Sequence, residues 1–189
     1  MNVYDFDNTI YDGESTLDLF FFYIKRHPLL LKKLPTVLHA FMRYKRGEVT
    51  LSEMLDRYAP LVEKEVLQVV DFENDPPIFW DAHMNKIKPF YKKQQRDDDL
   101  IITASPDFNM EEICRRLGVR RYLTSEIDRE TGKIGRICAR KNKIKYFFEQ
   151  YGGETIDNFY TDSIENDLPL IEAAKHAFVV KGDHITQIK

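Results

Sequence analysis

The sequence has few cysteines, no long apolar run and no leader-like start. Its two cysteines, Cys114 and Cys138, cannot form a disulfide framework, and they fit a reducing compartment. The longest apolar run, Leu19 to Ile24, is far shorter than the roughly 20 residues that a membrane-spanning helix needs. The chain opens with MNVYDFDNT, whose early acids argue against a secretory signal peptide. These absences predict a soluble, cytoplasmic protein.

Charge of one sign is also lacking. The chain carries 28 basic and 31 acidic residues, a net charge of −3, so nucleic acid is not predicted as a partner. The histidines are scattered without metal-ligand spacing, and there is no internal repeat. What the chain has is a globular composition, 43% hydrophobic and 13% aromatic over 189 residues. This length predicts one domain, with or without a large insertion, and leaves the oligomeric state open.

Hydrophobic patterning divides the chain into a short apolar start, a helical stretch and an alternating region. Residues 15–95 are predicted to be helical between prolines, and Leu51, Met54, Leu55 and Tyr58 recur with the helix period. Beyond residue 100 we expect strands at Leu100–Ala104, Phe159–Thr161 and Ala177–Val180, helices at Met110–Leu117, Lys141–Tyr151 and Asp167–Ala174, and two short strands around Gly132 within Ile127–Ile137.

This alternation of strands and helices predicts an α/β fold with a Rossmann-like, mostly parallel sheet. The first strand, around Val3–Asp7, needs partner strands that arrive only after residue 100. The helical stretch is therefore expected to be an inserted all-helical cap. The predicted division is a core of residues 1–14 and 96–189, with a cap of residues 15–95.

Acidic and hydroxyl side chains follow three of the predicted strands: DFDNT at 5–9, Thr103 to Ser105, and Thr161 to Asp167. Open α/β sheets bind ligands at the carboxyl ends of their strands. Converging carboxylates repel one another unless a cation lies between them, and oxygen ligands without His or Cys favour Mg²⁺. One of Lys141, Lys143 and Lys145 would add a positive charge from the intervening helix. This set of groups suits a phosphoryl group that a carboxylate attacks.

The four motifs resemble those of haloacid dehalogenase superfamily phosphatases, in the branch that includes phosphoserine phosphatase. They stand in order along nearly the whole chain: DFDNT at 5–9, IITAS at 101–105, Lys143 opening a helix, and TDSIEND at 161–167. The resemblance implies a Mg²⁺-dependent phosphomonoester hydrolase with a helical cap. Its expected partner is a small phosphorylated substrate.

The resemblance also implies catalytic roles. Asp5 would be the nucleophile that forms a phospho-aspartate, and it would bind Mg²⁺ as well. Asp7 would protonate the leaving oxygen and then deprotonate the hydrolytic water, with its backbone carbonyl on the metal. Thr103 and Lys143 would hold the phosphoryl oxygens.

For the metal, the resemblance implies Asp162 as a side-chain ligand and Asp167 as support for the metal's waters. Two departures from the family's pattern occur here. Thr161 replaces the usual glycine before Asp162, and Asp167 follows Asp162 by five positions rather than four.

Substrate-binding candidates follow from the same resemblance. Glu14 lies nine residues after Asp5, where phosphoserine phosphatases carry a glutamate for the substrate ammonium. Ser105, the last residue of the second motif, is a further candidate for substrate binding. The nearest cap arginine for a substrate carboxylate is Arg57, although Tyr58 stands at the family's position.

Other readings of the first motif are weaker. A calcium loop would need Gly at its sixth position and Glu at its twelfth, where Ile10 and Thr16 stand. A receiver domain carries its acid pair before the phospho-acceptor, whereas here one acid pair closes the first strand and another follows the lysine. A non-catalytic protein that keeps the fold stays open as an alternative.

A basic segment raises a further alternative, a lipid-headgroup phosphatase at a membrane surface. No acid occurs between Asp18 and Glu48, whereas seven basic residues lie among apolar ones, namely Lys25, Arg26, Lys32, Lys33, Arg43, Lys45 and Arg46. The plain interpretation is a cap with a solvated basic face. The alternative interpretation is contact with an anionic surface.

Overall fold

The computed structural model describes the backbone of residues 1–49 and 51–189. Side chains are described except at positions 41, 44, 45, 50–52, 54–56, 58, 59, 61 and 62. The strands of the described residues are β1 (Asn2–Tyr4), β2 (Leu100–Pro106), β3 (Arg121–Ser125), β4 (Asn158–Thr161), β5 (His176–Lys181) and β6 (His184–Gln187). The α-helices are α1 (Ser15–Arg26), α2 (Leu34–Lys45), α3 (Leu51–Val69), α4 (Asp75–His83), α5 (Pro89–Gln94), α6 (Asp107–Leu117), α7 (Lys141–Tyr151) and α8 (Ile164–Ala173). Short 3₁₀ helices lie at Pro28–Lys33 and Met84–Lys86.

The six strands form one sheet in the order β3-β2-β1-β4-β5-β6. All neighbouring pairs are parallel except β5 and β6, which are antiparallel. β1 lies in the middle, where Val3 is in register with Leu100 of β2 and with Phe159 of β4. The predicted α/β fold with a mostly parallel, Rossmann-like sheet is confirmed.

The two faces of the sheet pack into two hydrophobic clusters because successive strand residues point to opposite faces. Val3 joins a cluster that α7 and α8 cover with Phe147 and Leu170. Its neighbour Tyr4 joins the cluster on the other face, which includes Trp80 of α4. Helices on both faces explain why the central strands are almost continuously apolar rather than alternating.

Helices α1 to α5 all fall between β1 and β2, so the long helical stretch lies where the sequence predicts it. Trp80 of α4 packs edge-to-face on Phe6 and Tyr11, and its indole N–H donates to the Asn109 carbonyl at 2.8 Å. The division into a core and a cap stays a prediction, because one hydrophobic cluster contains residues of both segments.

The periodic residues Leu51, Met54, Leu55 and Tyr58 fall within α3, but their side chains lie outside the described residues. No helix in the described part of the chain combines the length and apolar character that a membrane crossing requires.

The prediction of two strands within Ile127–Ile137 is wrong. A single antiparallel bridge joins Ile127 to Ile134. The Asp128 carboxylate accepts the backbone N–H groups of Glu130 and Thr131, and the Gly132 N–H donates to the Asp128 carbonyl. An aspartate that bonds to its own turn in this way competes with a strand ladder.

Two strands, β3 and β6, were not predicted. β3 is short, and Arg121 and Tyr122 interrupt any alternation that would mark it. All four residues of the edge strand β6 are exposed. An edge strand without a buried face has no hydrophobic signal to read.

Gly132 generates a stability prediction. It has a φ of +69°, and a Cβ there would meet the Glu63 carbonyl oxygen at 2.7 Å and Leu67 Cγ at 2.9 Å. We expect Gly132→Ala to lower the free energy of unfolding by about 2 kcal/mol or more, measured by urea unfolding. The control is Gly153→Ala, because a Cβ at Gly153 meets nothing within 4 Å. Equal effects of the two substitutions would contradict the close packing of α3 on this turn.

Candidate active site

The strand order brings the first and last motifs together. β1 lies between β2 and β4, so the chain reverses its direction of strand addition beside β1. Such a switch point opens a crevice at the carboxyl ends of the strands. A cavity of about 140 Å³ lies there, and Asp5, Thr103 and Asp162 line it. Asp5 follows β1 and Asp162 follows β4, whereas Thr103 lies within β2, just after Ile102, where the pairing with β3 becomes irregular.

The centre of this cavity is a buried ion triad. The Lys143 Nζ donates to Asp5 Oδ1 at 2.7 Å and lies 2.9 Å from Asp167 Oδ1. The other Asp167 oxygen accepts a hydrogen bond from the Thr161 hydroxyl at 2.7 Å. All three charged side chains are at most 10% exposed. The structure thus selects Lys143 among the three lysines of its helix, since Lys141 and Lys145 are exposed.

Burial dominates the electrostatics of the triad. Burial raises the pKa of Asp5. The Lys143 ammonium acts to lower that pKa, whereas the negative charges of Asp167 and Asp162 raise it further. Burial works against the Lys143 ammonium, but the Asp167 and Asp5 carboxylates together raise the pKa of Lys143 above its ordinary value. Burial also raises the pKa of Asp162. Lys143 is therefore held in its protonated form by the carboxylates around it.

Asp7 is held by donors from two different segments. Its Oδ1 accepts the backbone N–H of Ser15, at the start of α1, at 2.6 Å. Its Oδ2 accepts the Ser105 hydroxyl at 2.8 Å. Burial raises the pKa of Asp7, while the hydrogen bonds from Ser15 and Ser105 oppose that rise. Such a carboxyl is oriented at the cavity and keeps a proton more readily than an exposed aspartate does.

Hydrogen bonds within the loop after Asp7 hold Glu14 at the cavity. Asn8 has a φ of 57°, in the left-handed region that Asn tolerates better than most residues. Its N–H donates to the Gly13 carbonyl at 2.8 Å, and its side-chain amide donates to Glu14 Oε1 at 2.9 Å. The Lys88 Nζ donates to the Asn8 carbonyl at 2.5 Å. Both Asn8 and Glu14 line the cavity as a result.

The donors fit a hard divalent cation. Five carboxylates line the cavity, whereas its described lining has two cationic side chains, Lys143 and Arg140. Asp167 Oδ1 accepts no well-aligned hydrogen bond within the described part, although Lys143 lies beside it. As the side chains of the described part stand, no group of three or more His, Cys, Asp or Glu residues is placed to hold a metal ion. The lining donors are all oxygens, which suit Mg²⁺ better than a soft metal.

Seven of the residues singled out from the sequence line the one cavity: Asp5, Asp7, Glu14, Thr103, Lys143, Asp162 and Asp167. Ser105 is not among the lining residues. It is fully buried, and its hydroxyl accepts from Ser15 Oγ and Thr16 Oγ1 while it donates to Asp7. In this structure Ser105 therefore orients Asp7 and does not line the cavity, and its predicted contact with substrate stays a prediction.

Arg57 also lies elsewhere. It belongs to α3, its side chain is exposed, and it is not among the residues lining the cavity. Spacing along the helical stretch could not place it, since the path of α3 relative to the sheet depends on tertiary packing.

Three polar lining residues were given no role by the sequence analysis, namely Asn8, Arg140 and Asn166. Arg140 precedes α7 with φ 49° and ψ −129°, a region that costs an L-residue about 1–3 kcal/mol. Its carbonyl accepts the Lys143 N–H at 3.0 Å. A glycine there would have signalled the turn, but an arginine gives no such signal. Asn166 lies between the acids Asp162 and Asp167 of the last motif, and its uncharged amide carries no signal of a catalytic or metal-binding role.

The mostly parallel sheet with an acid-lined crevice beside its central strand has the architecture of a Rossmann-like α/β protein, and the sequence agrees with a known family. A family model of haloacid dehalogenase-like hydrolases matches residues 3–172. The chain belongs to this family. The predicted superfamily membership is confirmed, and with it the expectation of a hydrolase. No curated protein sequence matches the chain significantly.

Three solved structures share the fold. A protein of unknown function from Bordetella pertussis Tohama I has a TM-score of 0.73 at 20% identity, with 94% of this chain and 87% of that one covered. A phosphoserine phosphohydrolase-like protein from Francisella tularensis has a TM-score of 0.60 at 16% identity, with 94% and 86% covered. Phosphoserine phosphatase from T. onnurineus has a TM-score of 0.57 at 16% identity, with 94% and 81% covered. At these identities the likeness is one of fold.

The buried triad generates a prediction about stability and pH. Lys143→Met removes the cation that Asp5 and Asp167 share, and breaking a buried ion pair costs about 3–5 kcal/mol. The Lys143 ammonium lowers the pKa of Asp5, so its removal should raise that pKa further above the value in the unfolded chain. The loss of stability should therefore be smallest at acid pH and grow as the pH rises through about 8, the value to which the pKa of Asp5 is raised in the intact triad.

Thermal unfolding without added metal, at several pH values, measures this effect. Lys141→Met is the matched control, since this lysine is exposed two residues away on the same helix. A pH-independent loss, or an equal loss in the control, would contradict the shared-cation role.

Proposed function

We propose that the chain is a Mg²⁺-dependent phosphomonoester hydrolase that works through a phospho-aspartate on Asp5 and acts on a small phosphorylated metabolite. The observation that carries the proposal is the shared cavity of Asp5, Asp7, Thr103 and Lys143, at the carboxyl ends of the central strands. Family membership gives a hydrolase. The phosphoserine phosphatase-like fold of two neighbours favours a phosphate ester among the substrates of that family.

In the first step of the proposed reaction, Asp5 is the nucleophile. One of its carboxylate oxygens attacks phosphorus, and the bond from phosphorus to the ester oxygen breaks. Lys143, which donates to the other Asp5 oxygen, and the Thr103 side chain face the phosphoryl oxygens. A fixed ammonium in a buried crevice is well suited to charge that shifts among those oxygens during transfer.

Asp7 supplies the proton in the first step and recovers it in the second. Its protonated carboxyl gives the proton to the leaving ester oxygen. The resulting carboxylate then takes a proton from a water molecule as that water attacks the phosphorus of phospho-Asp5, which releases phosphate and restores Asp5. Burial that raises the pKa of Asp7 supports this role, because the acid must hold a proton near neutral pH.

Asp5, Asp162 and Asp167, with the Asp7 carbonyl, would hold the Mg²⁺. The ion would neutralise the phosphate and the excess of carboxylates, a charge balance that Lys143 and Arg140 alone cannot provide. Thr161 and the five-position spacing, both departures of this chain from the family's pattern, leave one Asp167 oxygen hydrogen-bonded to the Thr161 hydroxyl. The other oxygen faces Lys143 and the cavity.

The test of this proposal is a panel of phosphomonoesters assayed with Mg²⁺. Asp5→Asn should abolish measurable turnover, because asparagine keeps the shape of the side chain but is a poor nucleophile. Asp7→Asn should lower turnover by about 10²–10⁴-fold, the usual contribution of a general acid–base group. Asp183→Asn, an exposed acid outside the cavity, serves as the control. Normal turnover by folded Asp5→Asn would refute the proposed nucleophile.

Arg140 narrows the proposed substrate class to phosphomonoesters with a second anionic group. Arg140 lines the cavity, and its strained backbone conformation makes it a candidate for a functional role. Its planar guanidinium suits a carboxylate or a second phosphate. Glu14, on the same lining, suits an ammonium group in the substrate. Phosphoserine carries both groups and belongs in the panel.

We expect Arg140→Met to raise the KM for phosphoserine and for phosphoglycolate by about 10–100-fold, as the loss of one charged hydrogen-bonding partner would. The same variant should hydrolyse p-nitrophenyl phosphate nearly as well as the parent protein, because that ester has no second anion. A bisphosphate substrate distinguishes a phosphate preference from a carboxylate preference. Lys141→Met is the neighbouring control, and equal losses on all esters would reject this role of Arg140.

Hydrolysis of a lipid-headgroup phosphate is the second candidate, which the basic segment between Asp18 and Glu48 favours. Adding a lipid phosphomonoester in mixed micelles to the same panel distinguishes hydrolysis of a lipid headgroup from hydrolysis of a small metabolite. A folded protein that hydrolyses no ester in the panel would support a non-catalytic role.

A further inference from the structure

Large apolar side chains are exposed at the corner between α1 and α2. This corner is the 3₁₀ helix Pro28–Lys33. Leu29 is 77% exposed and Leu31 is 51% exposed. Leu29 is the most exposed large hydrophobic side chain in the described part of the chain.

The geometry of the 3₁₀ helix explains why these two leucines point outward. With three residues per turn, Leu30 and Lys33 lie on the same side of the helix. Leu30 is buried, and Lys33 forms an ion pair with Glu65 of α3, so this side faces the protein. Leu29 and Lys32 share a second side, and Leu31 occupies the third. The corner therefore presents two leucines and a lysine together.

The charged side chains of this corner that form no ion pair with a described residue are basic. Some basic residues of the segment are neutralised, as Arg26 is by Asp75 and Arg43 by Glu48. Lys25 and Lys32 are exposed, and neither forms an ion pair with a described residue. They flank the two leucines along the chain. We call Lys25 together with Pro28–Lys33 the basic corner.

We propose that the basic corner docks on an anionic lipid bilayer, with Leu29 and Leu31 entering the headgroup region and Lys25 and Lys32 meeting anionic headgroups. Interfacial membrane binding combines buried apolar area with attraction to acidic lipids, and this corner offers both. With two leucines and few charges, the binding should be weak, reversible and sensitive to salt.

Charge and polarity favour a bilayer over two other occupants. A second copy docking by the same corner would bring like charges together, which opposes association. A nucleic acid would pair with the lysines but would leave Leu29 and Leu31 in contact with water. A bilayer is the surface that accepts exposed leucines and lysines at one place.

The experiment is cosedimentation of the full chain with vesicles. Neutral phosphatidylcholine vesicles are compared with vesicles that contain about 30% phosphatidylserine, at about 0.05 M and about 0.3 M salt. We expect binding to the anionic vesicles at low salt, at least about a fivefold loss at the higher salt, and little binding to neutral vesicles. No binding to anionic vesicles at low salt would overturn the proposal.

Matched variants separate the two contributions. Leu29→Ser with Leu31→Ser removes the apolar contact, and Lys25→Gln with Lys32→Gln removes the charge. Each pair should weaken binding by about fivefold or more. The controls are Phe148→Ser, an exposed aromatic on α7, and Lys92→Gln with Lys93→Gln, exposed lysines on α5. Thermal unfolding checks that every variant folds.

Unchanged binding in both corner variants, or equal losses in the controls, would reject the basic corner as the docking surface. Two further outcomes would also reject the bilayer proposal. One is dimerisation in sedimentation velocity that the leucine substitutions abolish, which would assign the corner to a second copy. The other is RNA binding that the lysine substitutions abolish while vesicle binding is absent. None of these readouts depends on phosphatase activity.

Discussion

The buried contact of Lys143 with Asp5 and Asp167 is the constraint on which the rest of the site depends. Two buried carboxylates at this short separation would repel each other, and burial also removes their hydration. A cation between them is needed to offset both costs. The ammonium lies 2.7 Å from one and 2.9 Å from the other, and it ties the end of β1 to α7 and α8. The same arrangement that stabilises the buried carboxylates also places a positive charge at the lining of the cavity.

The sheet explains how such distant residues meet. Asp5 and Lys143 are 138 positions apart in the chain. They come together because β1 occupies the centre of the sheet, between strands that the chain adds on opposite sides. Side chains that leave the ends of β1, β2 and β4 then share one crevice. The long helical stretch between β1 and β2 contributes the Ser15 N–H to Asp7, so this segment also helps to build the site.

Much of the fold and of the candidate site is readable from the sequence because both follow local signals. The strand that contains Leu100 and the helix Lys141–Tyr151 carry strong hydrophobic patterns, and the structure has both. The acids follow strands directly, so their common edge could be predicted from the parallel alternation. The signals fail where a strand lacks a buried face, as β6 does, and where a side chain builds its own turn, as Asp128 does.

The sequence by itself determined the α/β alternation, the order of the motifs and the residue types at the strand ends, because these depend on neighbours along the chain. The family resemblance had already named Lys143 among the three lysines. Only the tertiary structure decided that its ammonium contacts both carboxylates, that Ser105 hydrogen-bonds to Asp7 without lining the cavity, and that Arg140 lines the cavity while Arg57 does not. These outcomes depend on strand order, helix rotation and a positive φ at a residue other than glycine. Such features are set by packing between segments far apart in the chain, and no local pattern of residues encodes them.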